Sequence, residues 1–210
     1  MIDFSIEKHG KKILVRCGED MHDQAMALLE KFYSFTTTDD FSLPFAIEFG
    51  WAPLKLVQES TTCFRIYEPD FDTNPFQHFR PSVDFTLRVL KEQVALLNTL
   101  KLSGDSPKFN QKVLVNGDCL QNSQVVLIRE KVQRDDDSGW TLDSPAQETN
   151  QWKGSWVYQI YQQRFSLAAV MALPAGYYCQ FQGDMIASIT NHEGKVIWSD
   201  REFLDAKNQS

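Results

Sequence analysis

Short runs of alternating apolar and polar residues recur along the chain, a pattern typical of strands that bury one face. In the first half of the sequence, these runs predict strands at 2–7, 12–17, 45–49, 54–57 and 63–67. In the second half, they predict strands at 112–115, 119–121, 125–132, 177–182, 185–190 and 196–198. Between two of these runs, the dipeptide Asn116-Gly117 is typical of a tight hairpin turn.

Apolar residues at intervals of three and four predict two or three helices. The clearest helix begins at Ser82 or Asp84 and continues to about Leu100. A second helix is predicted over about 21–33, and a third lies within 157–173. The segment before the third helix, 133–156, is polar and is predicted to contain an acidic loop.

Strands that come mostly in hairpins, with few helices between them, predict an α+β fold with a mainly antiparallel sheet and two or three packed helices. The 210 residues suit one or two domains. We expect a single domain over 1–210. A subdivision at the polar stretch 101–111 would give an N-terminal α+β half over 1–101 and a C-terminal β-rich half over 112–198.

The chain carries more acid than base, with 28 Asp and Glu against 21 Lys and Arg and a net charge of −7. Nucleic-acid binding needs clustered basic residues, so the excess argues against a nucleic-acid partner and favours a basic one. The longest uncharged stretch, 165–183, contains a proline and several polar residues, so no membrane span is expected. The N-terminus lacks the pattern of a signal peptide, and we therefore expect a cytoplasmic protein.

The usual motifs of catalysis do not occur in the sequence. Its four cysteines lie far apart, which excludes paired CxxC motifs for zinc or redox chemistry. Glycine-rich phosphate loops and the serine or histidine motifs of hydrolases are also missing. We therefore expect no catalytic residues, no metal and no cofactor.

Two short acidic segments are the main candidates for a binding surface. One is the run Asp135-Asp136-Asp137, followed closely by Trp140; the other alternates acids with Pro69 and Phe71. Acidic residues at the rim of an interface speed association with a basic partner, and aromatic residues anchor it. The candidate contact residues are therefore Glu68, Asp70, Asp72, Asp135, Asp136, Asp137 and Trp140.

Two other interpretations remain open from the residues alone. Three adjacent carboxylates at Asp135–Asp137 would suit a divalent cation, and so a metal-assisted hydrolase. Alternatively, Trp140, Trp152 and Trp156 would form an aromatic pocket in a module that binds a small molecule.

Several local strings resemble those of a bacterial immunity family. Arg129-Glu130 followed by Asp137–Trp140 is similar to the Arg…Asp-Ser-Gly-Trp signature of the family numbered thirty-third among the immunity proteins of polymorphic toxin and type VI secretion systems. Strings that also resemble this family and its larger relatives are Phe49–Trp51, Leu54–Leu56, Tyr67–Phe71, Val89–Gln93, Leu173–Tyr177 and Gly194–Trp198. The similarity extends over about 45–198.

This resemblance implies a non-enzymatic immunity protein. Such a protein binds a cognate secreted toxin and neutralises it by occluding the toxin's active site. The partner is then the toxin effector, and the seven candidate residues above are the predicted toxin contacts.

Overall fold

A computed structural model describes residues 1–8, 10–35, 45–132, 134–147 and 150–200. Within these residues, the chain forms thirteen strands in two sheets together with interspersed helices. The predicted α+β class is therefore confirmed. The chain divides into two compact units, Met1–Lys91 and Glu92–Ser210.

The first unit is built on a mainly antiparallel sheet. Its strands are β1 (Ile2–Lys8), β2 (Lys11–Cys17), β3 (Phe45–Phe49), β4 (Ala52–Gln58), β5 (Cys63–Pro69) and β6 (Phe79–Arg80). The strand order is β1-β2-β5-β4-β3, and β6 also pairs with β5. Strands β2 and β5 run parallel, whereas the other recorded pairs are antiparallel.

The core of the first unit lies between one face of this sheet and helix α1 (His22–Phe35). Alternate residues of β2, among them Ile13 and Val15, are fully buried. They join Leu28, Leu29 and Phe32 of α1 in one apolar cluster. The two-residue period of a strand and the 3.6-residue period of a helix place these side chains on the facing sides of the two elements. Helix α2 (Asp84–Leu100) begins in this unit and ends in the second.

The second unit contains the other sheet. Its strands are β7 (Lys112–Asn116), β8 (Gln124–Arg129), β9 (Asp137–Asp143), β10 (Trp152–Trp156), β11 (Tyr178–Gln182), β12 (Met185–Thr190) and β13 (Val196–Ser199). They lie in the order β10-β7-β9-β8-β11-β12-β13, and β7 and β9 are the parallel pair.

Helical segments cover one face of this second sheet. They are α3 (Val157–Gln163) and a 3-10 segment at Phe165–Ala172, where a single helix was predicted. Val113 and Leu127 point from the sheet into the core, and Ile160 and Val170 are among the buried residues of the helical layer. The opposite face of the sheet has no helical layer within the described part of this unit.

Three local predictions about the second unit differ from the structure. The Asn116-Gly117 pair does not close a hairpin, because β7 pairs with β9 and β10. The Asn116 side chain instead donates to Asp143 Oδ1 (3.0 Å) and accepts from the backbone N–H of Gln151 (2.9 Å). Residues 119–121, predicted as a strand, form a 3-10 turn, and the polar segment 133–156 contains β9 and β10.

Candidate functional site

Residues of the Arg…Asp-Ser-Gly-Trp string meet around the buried guanidinium of Arg129, the last residue of β8. Its Nη1 donates to the carbonyl oxygens of Asp105 (2.7 Å), Leu173 (2.5 Å) and Met171 (3.4 Å). Burial lowers the pKa of Arg129. Trp140 on the neighbouring strand places its ring 5.7 Å from the guanidinium carbon and donates from Nε1 to Met171 O (2.9 Å). Arg129 and Trp140 therefore tie the sheet to the 3-10 segment.

The serine and glycine of the same string fix β9 between its neighbours. Ser138 Oγ donates to the carbonyl of Lys112 on β7 (2.7 Å) and accepts from the N–H of Trp140 (3.2 Å). Gly139 has a φ of 74°, and a Cβ at this position would lie 2.4 Å from the carbonyl oxygen of Glu130. A side chain there would force the backbone to move. Arg129, Ser138, Gly139 and Trp140 of the string thus serve the packing of the unit.

Two of the seven predicted contact residues are buried, because strand alternation turns them toward a core. Trp140 is 1% exposed, on the helix-covered face of β9. Glu68 is 0% exposed, because β5 continues to Pro69 instead of ending in a loop. Its carboxylate accepts from Arg80 Nε (3.0 Å) and from the N–H of Thr86 (2.8 Å). Burial raises the pKa of Glu68 to about 6. We correct the prediction accordingly: neither side chain is available for contact at the surface.

The other two acids of this segment follow β5. Asp72 is exposed and forms an ion pair with Arg80, whereas Asp70 is partly buried. Phe71 between them is buried and stacks on Trp51, with ring centroids 4.9 Å apart. The exposed part of the segment therefore presents carboxylates without the aromatic anchor that the sequence suggested.

The three acids Asp135, Asp136 and Asp137 are all exposed, at the turn that leads into β9. Arg134 donates two hydrogen bonds to Asp136 (2.9 and 2.7 Å), and this interaction lowers the pKa of Asp136. The carboxylate of Asp137 accepts from the N–H of Gly139 (2.8 Å). The backbone of this turn is thus held in place while its acids face solvent.

This acidic turn borders the uncovered face of the second sheet, which we call the open face. On it, Leu114, Ile128 and Trp152 are 44%, 41% and 41% exposed. The strand register places Leu114 beside Gly154 on one side and Thr141 on the other, and Thr141 beside Ile128. Exposed apolar side chains therefore lie on β10, β7 and β8 of the open face, with Thr141 of β9 between Leu114 and Ile128.

A recess of about 190 Å³ lies where the acidic turn meets the open face. Its lining residues are Lys112, Val113, Leu114, Arg134, Asp136, Asp137 and Gly154. The Nζ of Lys112 lies 5.1 Å from the centre of the Trp156 ring, within range of a cation–π contact. The recess thus combines an apolar floor with a charged rim.

The structure does not favour the two alternative interpretations. Trp140 lies on the helix-covered face of the sheet, whereas the register places Trp152 and Trp156 on the open face, so the three do not line one pocket. Over the part of the chain that the structure describes, no group of three or more His, Cys, Asp and Glu residues is placed to hold a metal ion.

Among the described helices, none has both the length and the apolar character needed to span a membrane.

The second unit is thus an α+β scaffold whose signature residues serve its own packing and which leaves one sheet face open. The Imm33-like domain matches residues 92–200, more than half of the chain and the whole described part of this unit. The chain therefore belongs to the Imm33-like domain family, which confirms the predicted immunity family.

The family match begins at Glu92, so the strings Phe49–Trp51 and Tyr67–Phe71 lie outside the matched residues. No curated protein and no solved structure matches the chain. The family match thus bears on the second unit, which also carries the open face.

Proposed function

We propose that this chain is an immunity protein that binds a cognate secreted toxin and neutralises it by covering the toxin's active site. Membership of the Imm33-like domain family carries this proposal, because an immunity family implies a toxin as partner. The proposal includes action in the cytoplasm against an effector such as those of type VI secretion systems, without a cofactor.

The use of polar groups in the second unit supports an inhibitor rather than an enzyme. A stoichiometric inhibitor needs a stable scaffold and a complementary surface, whereas catalysis needs positioned reactive groups. The polar atoms of Arg129, Ser138 and Trp140 are bonded to backbone groups of the unit itself. Their roles are those of a scaffold, and family membership likewise suggests a protein that is not an enzyme.

Exposed acids supply the complementary surface in this proposal. The acids exposed to a partner are Asp72, Asp135, Asp136 and Asp137, and Asp70 is partly exposed. A net charge of −7 would steer a basic toxin toward the chain and raise the rate of encounter.

Co-expression with the product of the neighbouring gene tests neutralisation. We expect that product to arrest growth alone, to lose toxicity when this chain is present, and to co-purify with it in a fixed ratio. If no neighbouring product is both toxic and neutralised, the proposed function is wrong.

A kinetic measurement then tests how the toxin is blocked. With purified toxin and its substrate, a chain that covers the active site inhibits competitively, so excess substrate slows formation of the complex. Inhibition that is independent of substrate concentration would contradict occlusion while leaving neutralisation in place.

A further inference from the structure

We propose that the open face of the second sheet is the surface that docks the toxin, with a basic side chain of the toxin seated in the recess beside Asp137. This proposal rests on the proposed function, since it names the face and the chemistry by which the toxin is bound. The occupant is a protruding arginine or lysine on a basic toxin surface.

The apolar character of the open face is the first argument. In a two-layer α+β unit, strand residues alternate between the two faces of the sheet, and those on the solvent-facing side are usually polar. Here Leu114, Ile128 and Trp152 are each more than 40% exposed on that side. Exposed apolar residues that gather on one face of a sheet mark interaction sites, and tryptophan is a frequent anchor of interfaces.

The size of the recess indicates what part of the partner it accepts. At about 190 Å³, it is smaller than the clefts of roughly 300–1,000 Å³ that hold drug-sized ligands. It therefore suits a single side chain. The side chain of Leu114 and the exposed backbone of Gly154 offer a surface for an aliphatic stem, as arginine and lysine provide.

The charges at the rim indicate the sign of that side chain. The recess itself is lined by two carboxylates, Asp136 and Asp137, and by two cations, Arg134 and Lys112. Asp135, exposed in the same turn, adds a third carboxylate next to them. Arg134 is bonded to Asp136, and Lys112 lies against the Trp156 ring. Counted with Asp135, the acidic turn and Lys112 carry one more acid than base, which is complementary to an incoming cation.

The same charges argue against a second copy of this chain as the occupant. Two copies meeting through this face would place one acidic rim against another, and juxtaposed like charges cost association energy. Each copy would also carry a net charge of −7. A partner of opposite charge fits the open face better.

The first test measures the dissociation constant for the toxin that the wild-type chain neutralises, using calorimetry. We expect Leu114→Glu and Ile128→Glu each to weaken binding by about 100-fold, with folding checked by the melting temperature. The matched control is Val94→Glu, which places the same charge at a similarly exposed apolar residue on α2, and it should bind like the wild type.

The second test addresses the basic side chain. Asp137→Asn keeps an oxygen that can accept from Gly139, so it removes the charge at little structural cost. We expect about 10-fold weaker binding, and a double-mutant cycle with alanine substitutions of the toxin's lysines and arginines should find one that is coupled to Asp137. Asp23→Asn, the same change at an acid of α1 whose side chain is 94% exposed in the first unit, should leave the affinity unchanged.

The outcomes separate the two proposals. If the wild type neutralises the toxin but the open-face variants bind as well as the wild type, docking on the open face is wrong and the proposed function stands. If no basic residue of the toxin couples to Asp137, the basic occupant is wrong. If the wild type neutralises no toxin, both proposals are overturned.

Discussion

At the scale of single residues, Arg129 shows how a charged side chain becomes part of a core. Its guanidinium is satisfied mainly by backbone carbonyls, with the ring of Trp140 against it. A buried charge is tolerated only when its hydrogen-bonding groups find partners, and here carbonyls in and directly after the 3-10 segment, together with that of Asp105, provide them. The sequence indicated that Arg129 and Trp140 belong to one motif. It did not indicate that the guanidinium donates to the backbone carbonyls of residues 105, 171 and 173, which are distant along the chain.

Replacing this arginine should therefore act on stability. We expect Arg129→Met to lower the free energy of unfolding by about 3 kcal/mol, because several buried carbonyls lose a charged donor. Urea unfolding measures the change. The control Arg134→Met removes an exposed guanidinium and should cost less than about 1 kcal/mol. A loss at Arg129 no larger than that at Arg134 would contradict the structural role.

At the scale of elements, the sequence predicted most strands and helices, because the spacing of apolar residues along the chain shows the two-residue period of strands and the 3.6-residue period of helices. The sequence did not predict β9 and β10, because both strands lie in a polar segment, which includes Asp137 and Lys153. These strands are defined by pairing with β7, a property of distant residues that no local pattern contains.

The open face was missed for the same reason. The runs 113–115 and 125–128 are continuously apolar, which indicates strands with two apolar faces. That signal was present in the sequence. Only the register shows that Leu114 and Ile128 fall on one side together and that the acidic turn borders them.

Glu68 connects elements of the first unit, since it joins β5 to Arg80 of β6 and to the first turn of α2. Its pKa of about 6 in the folded chain lies above the ordinary value of 4.5. Between these values, the folded state binds the proton more tightly than the unfolded state. Burial of Glu68 therefore makes stability fall as the pH rises from 4.5 to 6, by about 2 kcal/mol in total.

We expect the variant Glu68→Gln to lack this fall in stability with rising pH, because glutamine does not titrate. The free energy of unfolding of the variant minus that of the wild type should rise with pH across this interval. Chemical unfolding at pH 4, 5, 6 and 7 measures it. A difference that stays constant over that range would show that Glu68 does not titrate as its burial implies.

At the scale of the whole molecule, the excess of acidic residues matters because its electric field extends beyond the surface into the solvent. The net charge follows directly from the sequence, whereas its distribution is seen only in the structure. Glu68 is buried and Asp136 is paired, while Asp135 and Asp137 face solvent. Long-range attraction depends on the total charge and on salt.

Association with a basic toxin should therefore slow as salt is added. We expect the association rate constant to fall by about 10-fold between about 0.05 M and about 0.5 M NaCl, with a much smaller change in the dissociation rate. Stopped-flow fluorescence measures both rates. A rate of association that does not respond to salt would show that charge has no part in the encounter.

The buried arrangement around Arg129 has a consequence for how such chains are told apart. Because Arg129, Ser138 and Trp140 of this signature act inside the unit, they identify a scaffold and carry no information about which toxin is recognised, whereas its Asp137 lines the recess at the proposed docking surface. Two proteins with the same signature can then neutralise unrelated toxins. If docking uses the open face, specificity can be transferred between them by exchanging the outward residues of β7, β8 and β10, with the signature left untouched.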